Sequence, residues 1–171
     1  MVMIMKKIIV FLFIIIVCSI YINEKENILI PDNSIRFRII ANSDKEEDQL
    51  LKLTIKNDVE KELFKLLKNT SNIEEAREVI SNNIPLIEEI VNKYDIKFDI
   101  SYGNNYFPEK EYKGIKYKEG NYESLVIKLG ESVGKNWWCV LFPPLCLLDE
   151  QTNLSDKEYR FFIYDIINNY K

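Results

Sequence analysis

The hydrophobic pattern changes period twice in the first third of the chain. Ile8–Ile22 (IIVFLFIIIVCSIYI) is an unbroken apolar run behind Lys6 and Lys7. From Ser34 to Ala41 (SIRFRIIA), Ile35, Phe37 and Ile39 alternate with Arg36 and Arg38. That period of two predicts a half-buried strand with its arginines on the polar face. Beyond Asn42 the spacing lengthens to that of a helix, with Leu51, Ile55, Val59, Leu63 and Leu66 or Leu67 on one stripe, to about Lys68. Ser43-Asp44-Lys45-Glu46 has the form of a capping box and places the helix start there. A second box, Ser71-Asn72-Ile73-Glu74, opens another helix with the stripe Ile73, Ala76, Ile80, Ile84, Ile87 and Val91. Pro85 lacks the N–H an uninterrupted helix needs, so this helix should kink or split near Asn83.

Ile96–Tyr102 reads as the next strand. Gly103–Asn121 is rich in Tyr, Lys and Gly and reads as a long loop with one short strand at most. Ser124–Leu129 is a buried strand bounded by Gly130 and Gly134. Asn136–Phe142 (NWWCVLF) is another, stopped by Pro143-Pro144. A third box, Ser155-Asp156-Lys157-Glu158, opens a terminal helix with Tyr159, Phe162, Ile163, Ile166, Ile167 and Tyr170 on its apolar side. This order predicts a single α/β domain of α+β-like type. It would be layered, with a mixed sheet of about four strands and three or four helices, behind an N-terminal hydrophobic helix.

A basic pair followed by an apolar run is the order of an export signal. Fifteen helical residues span roughly 22 Å, short of the ~30 Å hydrocarbon core, which favours a cleavable signal. Val17, Ile20 and Ile22 make a poor cleavage site, and Cys18 behind Val17 a weak lipid acceptor, which favours a retained anchor. The expected organisation is 1–22 signal peptide or membrane anchor, 23–33 linker and 34–171 exported domain. The formal net charge is −4, and more negative still once Lys6 and Lys7 are set aside. An acidic domain is ill-suited to neutralising phosphates, so no nucleic-acid partner is expected. The sequence holds no histidine. That excludes the usual Ser-His-Asp and Cys-His catalysis and His-containing zinc sites. No metal or cofactor is expected.

Three groups of residues stand out. Trp137 and Trp138 are adjacent in a strand and must face opposite ways. Either both are covered within the domain, or one anchors an interface, a role in which Trp is enriched. Cys139 and Cys146 flank the Pro-Pro turn. They read either as a disulfide, common outside the cytoplasm, or as two buried reduced cysteines. Asn42, Asp44 and Asp48 gather at a strand end and helix start, as a ligand site or as acids complementing the helix dipole.

Two segments carry a family resemblance: Ile35–Asp44 (IRFRIIANSD) with Glu47-Asp48-Gln49 and Leu51-Lys52-Leu53, and Gly134–Cys146 (GKNWWCVLFPPLC). In residues, order and spacing the chain resembles the stage II sporulation protein R family over about Ser34 to Asp149. The resemblance implies a non-catalytic sporulation signal, exported from the forespore into the space between the two facing membranes. There it would activate a membrane-embedded aspartic protease of the mother cell, which processes pro-sigma-E. The expected contact is Trp137, Trp138, Phe142, Pro143 and Pro144 with Asn42, Asp44 and Asp48. Two alternatives remain at this point. One is an extracytoplasmic carboxylate-dependent cell-wall enzyme built on Asp44 and a second acid. The other is a structural envelope protein.

Overall fold

The computed structural model describes residues 33–112 and 115–146, with isolated positions 6, 12, 165, 166 and 168. The N-terminal apolar run, nearly all of the linker and the terminal helix expected from Ser155 lie outside those residues. Strand β1 (Ile35–Ile40) leads into three helices, α1 (Glu46–Leu67), α2 (Ile73–Asn82) and α3 (Ile84–Asn92). Strands β2 (Phe98–Phe107), β3 (Lys110–Tyr112), β4 (Ile115–Tyr117), β5 (Gly120–Leu129) and β6 (Asn136–Phe142) follow. Four of them form a mixed sheet in the order β2-β5-β1-β6. β1 pairs parallel with β5 and antiparallel with β6, and β2 pairs antiparallel with β5.

The helices cover one face of this sheet. Ile35, Phe37 and Ile39 of β1 meet Ile55, Val59 and Leu63 of α1, Ile80 of α2, and Ile87 and Val91 of α3, all at most 1% exposed. These are the residues of the sequence stripes, so the helical periodicity locates the core directly. Pro85 sits at the start of α3, where the absent N–H costs nothing, and separates α3 from α2. The cap of α2 is one residue later than the expected box. Asn72 Oδ1 accepts from Glu75 N (2.9 Å), and Glu75 reaches back to Ser71 N (2.8 Å).

The opposite face departs from expectation at two places. The segment 103–121 is mostly strand. β2 and β5 run as ten-residue partners from Phe98↔Leu129 to Phe107↔Gly120, and β3 pairs with β4 beyond them. Its glycines and asparagines hid the pattern, because the ladder is held by backbone bonds and, although Tyr106 is exposed, Phe107, Tyr117 and Tyr122 turn inward. What they turn toward is Arg36, expected on a polar face but only 1% exposed. Its guanidinium carbon lies 3.2 Å from the Tyr122 ring centre and 5.3 Å from that of Phe107. A cation against aromatic faces is stabilised by their quadrupoles, and more so away from water.

Glu123 of β5 ties this sheet to α2. It receives Arg77 Nε (2.9 Å) and Tyr102 Oη (2.6 Å). Burial and then the bond to Glu123 push the Tyr102 hydroxyl well above the usual tyrosine range. The folded state therefore holds this proton more tightly than the unfolded one. Its contribution is fully present below about pH 10 and is lost as pH rises beyond it. Chemical denaturation across pH 8–12 should show stability falling on the alkaline side. Tyr102→Phe should have a shallower alkaline slope than the wild type, and equal slopes would refute the assignment.

Candidate partner interface

β6 is an end strand of the four-stranded sheet, and its side chains are parted by the alternation of the strand. Trp137 falls on the helix side. It packs edge-on against Phe37 with ring centres 5.8 Å apart, and Lys56 Nζ of α1 lies 4.7 Å from its ring. Trp138 falls on the aromatic side, 5.1 Å from Phe107 and 5.7 Å from Tyr117, with Lys110 Nζ 5.0 Å from its ring. Both tryptophans remain half-buried. They are neither sealed into the core nor free of the domain.

The C-terminal end of β6 is closed by a turn. Leu145 N and Cys146 N both donate to Val140 O at 3.1 Å. Cys139 and Cys146 are joined as a disulfide, with their Cα atoms 5.4 Å apart. Pro143 is buried, Pro144 is half-buried, and Phe142 is 5% exposed with its ring in the core. Phe142 thus supports the strand and does not offer a contact surface, because the register shift after Val140 sets it opposite Ile35 and returns it to the helix face. Pro144, Leu141 and Cys146 face Leu63, Phe64 and Leu67 of α1 across a shallow apolar depression.

The N-terminal end of β6 is held by the three polar residues singled out in the sequence. Asn42 Oδ1 accepts from Glu131 N (2.9 Å), and Asp44 Oδ1 accepts from Lys135 N (2.6 Å). Asn42 O and Ala41 O accept from Val133 N and Gly134 N. The segment 41–44 thus clamps the loop 130–135 that delivers β6. The fit is close: a Cβ on Gly134 would collide with Ser43 O, and one on Gly130 with Asn42 Oδ1. Gly130 also has φ +55°, where a side chain is strained. Asp48 completes the clamp, accepting from Ser43 Oγ (2.5 Å) and Asn42 Nδ2 (2.9 Å).

The capping box expected at Ser43 is displaced by this work. The N-cap of α1 is Lys45, without a side-chain cap, because Ser43 is bound to Asp48 and to Lys45 N (3.2 Å). The bonds from Ser43 and then Asn42 hold Asp48 below the usual carboxylate range. A carboxylate held in its charged form is a poor general acid.

Three residues of this edge carried no sequence signal of their own. Lys52 is 5% exposed and donates to Gln49 Oε1 (2.7 Å) and Lys135 O (3.1 Å). Burial lowers its pKa, Asp44 opposes, and Lys110 and Lys135 lower it further. Lys56 and Glu60 form a buried pair at 2.5 Å. The Glu60 carboxylate and the sulfurs of Cys139 and Cys146 lie within 4.8 Å of one another. Bonded to each other, those sulfurs present no thiolates to a metal. A spacing of four between charges on a helix suggests a solvated pair, and only the bulk of Trp137 above Lys56 hints otherwise.

Comparison with known proteins is consistent with the two sequence segments. The profile described as stage II sporulation protein R (spore_II_R) matches residues 31–152. The stage II sporulation protein R of Bacillus subtilis (strain 168) is 42% identical over 142 residues, 80% of this chain. The match spans 63% of that relative's length. No solved structure gives a match.

Two outcomes follow from the site. The lowered Asp48 pKa gives stability that is present above about pH 4 and is lost as pH falls through the folded value. Asp48→Asn should be less stable than the wild type near neutrality, and the two should converge in acid. A gap that persists to pH 2 would refute the linkage. Intact mass without reductant should be lower by about two hydrogens than with it, for one bridge. Removing that bridge by Cys139→Ser with Cys146→Ser should cost about 2.5 kcal/mol in denaturant unfolding, given its short loop. Free thiols at both Cys139 and Cys146 in the native protein would refute the bridge.

Proposed function

The chain belongs to the stage II sporulation protein R family, and from that premise we propose that it is a non-catalytic, exported sporulation signal. It is exported from the forespore into the intermembrane space, with residues 1–22 as signal or anchor. There it binds a membrane-embedded aspartic protease of the mother cell and activates processing of pro-sigma-E.

The observation that carries the contact surface is the placement of Trp137 and Trp138. They are half-exposed on an end strand braced at both ends, by a disulfide and by a polar clamp. Rigid aromatic anchors of this kind concentrate binding energy because little conformational freedom is lost on contact. To activate, the protein must bind the protease's active state more tightly than its inactive one. The cell-wall-enzyme reading gains no support from the acids at the clamp. Asp48 is held charged by two donors, and Asp44 is spent on Lys135 N.

Reconstitution of the full chain with the protease and its sigma-factor substrate provides the test. Trp138→Ala, with native melting behaviour verified, should reduce processing roughly tenfold or more, the range of an interface anchor. Undiminished processing by a folded variant would remove this surface from the proposal.

A further inference from the structure

The backbone of β6 has a directed outer side. Val140 O accepts from the turn residues Leu145 and Cys146, so it faces away from β1. In an antiparallel ladder, successive residues turn their N–H and C=O to alternate sides. Trp138 and Asn136, two and four residues before Val140, therefore direct both groups outward as well. The registers Ile39↔Trp137 and Phe37↔Cys139 supply the inward-facing residues in between. Among the described residues, no strand lies beyond β6. The disulfide-held turn uses the outward carbonyl of Val140 and closes the edge there.

The walls of this edge are basic in an acidic chain. Lys52 and Lys135 stand at its start on the α1 side, and Lys110 reaches the ring of Trp138 from the other. Lys110 and Lys135 both act electrostatically on Lys52, so the three cations share one field, opposed there by Asp44. A second copy of β6 would bring the same lysines against these, and like charges across a strand pair are unfavourable.

The geometry points to an extended, Asp- and Glu-rich peptide segment of a partner protein as the occupant, added as a strand along Asn136–Trp138. Main-chain bonds to Asn136 and Trp138 supply the pairing, and Lys110 and Lys135 select the charge. The inference rests on the activator reading only for which protein carries the segment.

The test uses the full-length, 15N-labelled chain and two synthetic eight-residue peptides. One alternates glutamate with valine, and the other has lysine for each glutamate. The acidic peptide should give saturable shifts centred on the amides of Asn136 and Trp138, and the basic one should not. Asn136→Pro removes an outward N–H without removing a bond to β1, and should weaken acidic-peptide binding at least tenfold. Lys110→Glu with Lys135→Glu should invert the preference between the peptides, which decides the matter if the proline variant does not fold.

Equal binding of both peptides, or an acidic preference unchanged by the charge reversal, would overturn the inference. Concentration-dependent dimerisation that protects these amides without peptide would also overturn it and assign the edge to a second copy. In the reconstituted protease assay the two readings separate. A charge-reversed chain that no longer binds the acidic peptide yet still activates overturns this inference alone. A wild-type chain that binds the peptide but does not activate overturns the activator reading alone.

Discussion

The register of β1 against β6 is the constraint on which this molecule depends. With Ile39 opposite Trp137 and Arg38 opposite Trp138, one tryptophan joins the helix-covered core and its neighbour joins the aromatic layer. A slip of one residue would exchange them and move each apolar side chain of β6 to the wrong face. The register is fixed from both ends. The polar clamp of Asn42 and Asp44 on loop 130–135 sets where β6 begins. The turn bonded to Val140 O, with its disulfide, sets where it stops.

This arrangement gives the two family segments a shared physical role. The IRFRIIANSD segment supplies β1, the buried Arg36 and the clamp. The GKNWWCVLFPPLC segment supplies the clamped loop end, β6 and the turn. Far apart in the chain, they are adjacent in space and hold one another. Phe107, Tyr117 and Tyr122 then close the aromatic layer over Arg36, so a charge lies beneath the sheet without facing water.

Much of the fold was legible because its signals are local. The stripes of α1, α2 and α3, the break at Pro85 and the alternation in β1 depend only on near neighbours in sequence. The continuation of β2 past Tyr102 and of β5 ahead of Ser124 was not legible. These stretches combine Gly103, Asn104 and Asn105 with aromatics whose burial depends on Arg36, a partner remote in sequence. The polar group Asn42, Asp44 and Asp48 was recognised as a cluster, but its principal partners, the backbone N–H groups of Glu131 and Lys135, leave no trace in residue type. The capping box at Ser43 misled for the same reason. A tertiary contact took the side chain that a local rule had assigned to the helix.

The parallel pairing of β1 with β5 matches Arg36 with Ser124, across three helices and an entire β arm. β1 is made early, and both strands that flank it come near the end of the described region. Until β5 and β6 exist, Ile35, Phe37 and Ile39 have no sheet to complete, and a contact so distant in sequence closes slowly. A ribosome, which releases the chain from its N-terminus, therefore delivers β1 long before its neighbours. A polypeptide interrupted before Asn136 thus lacks β6, one of the two strands that flank β1.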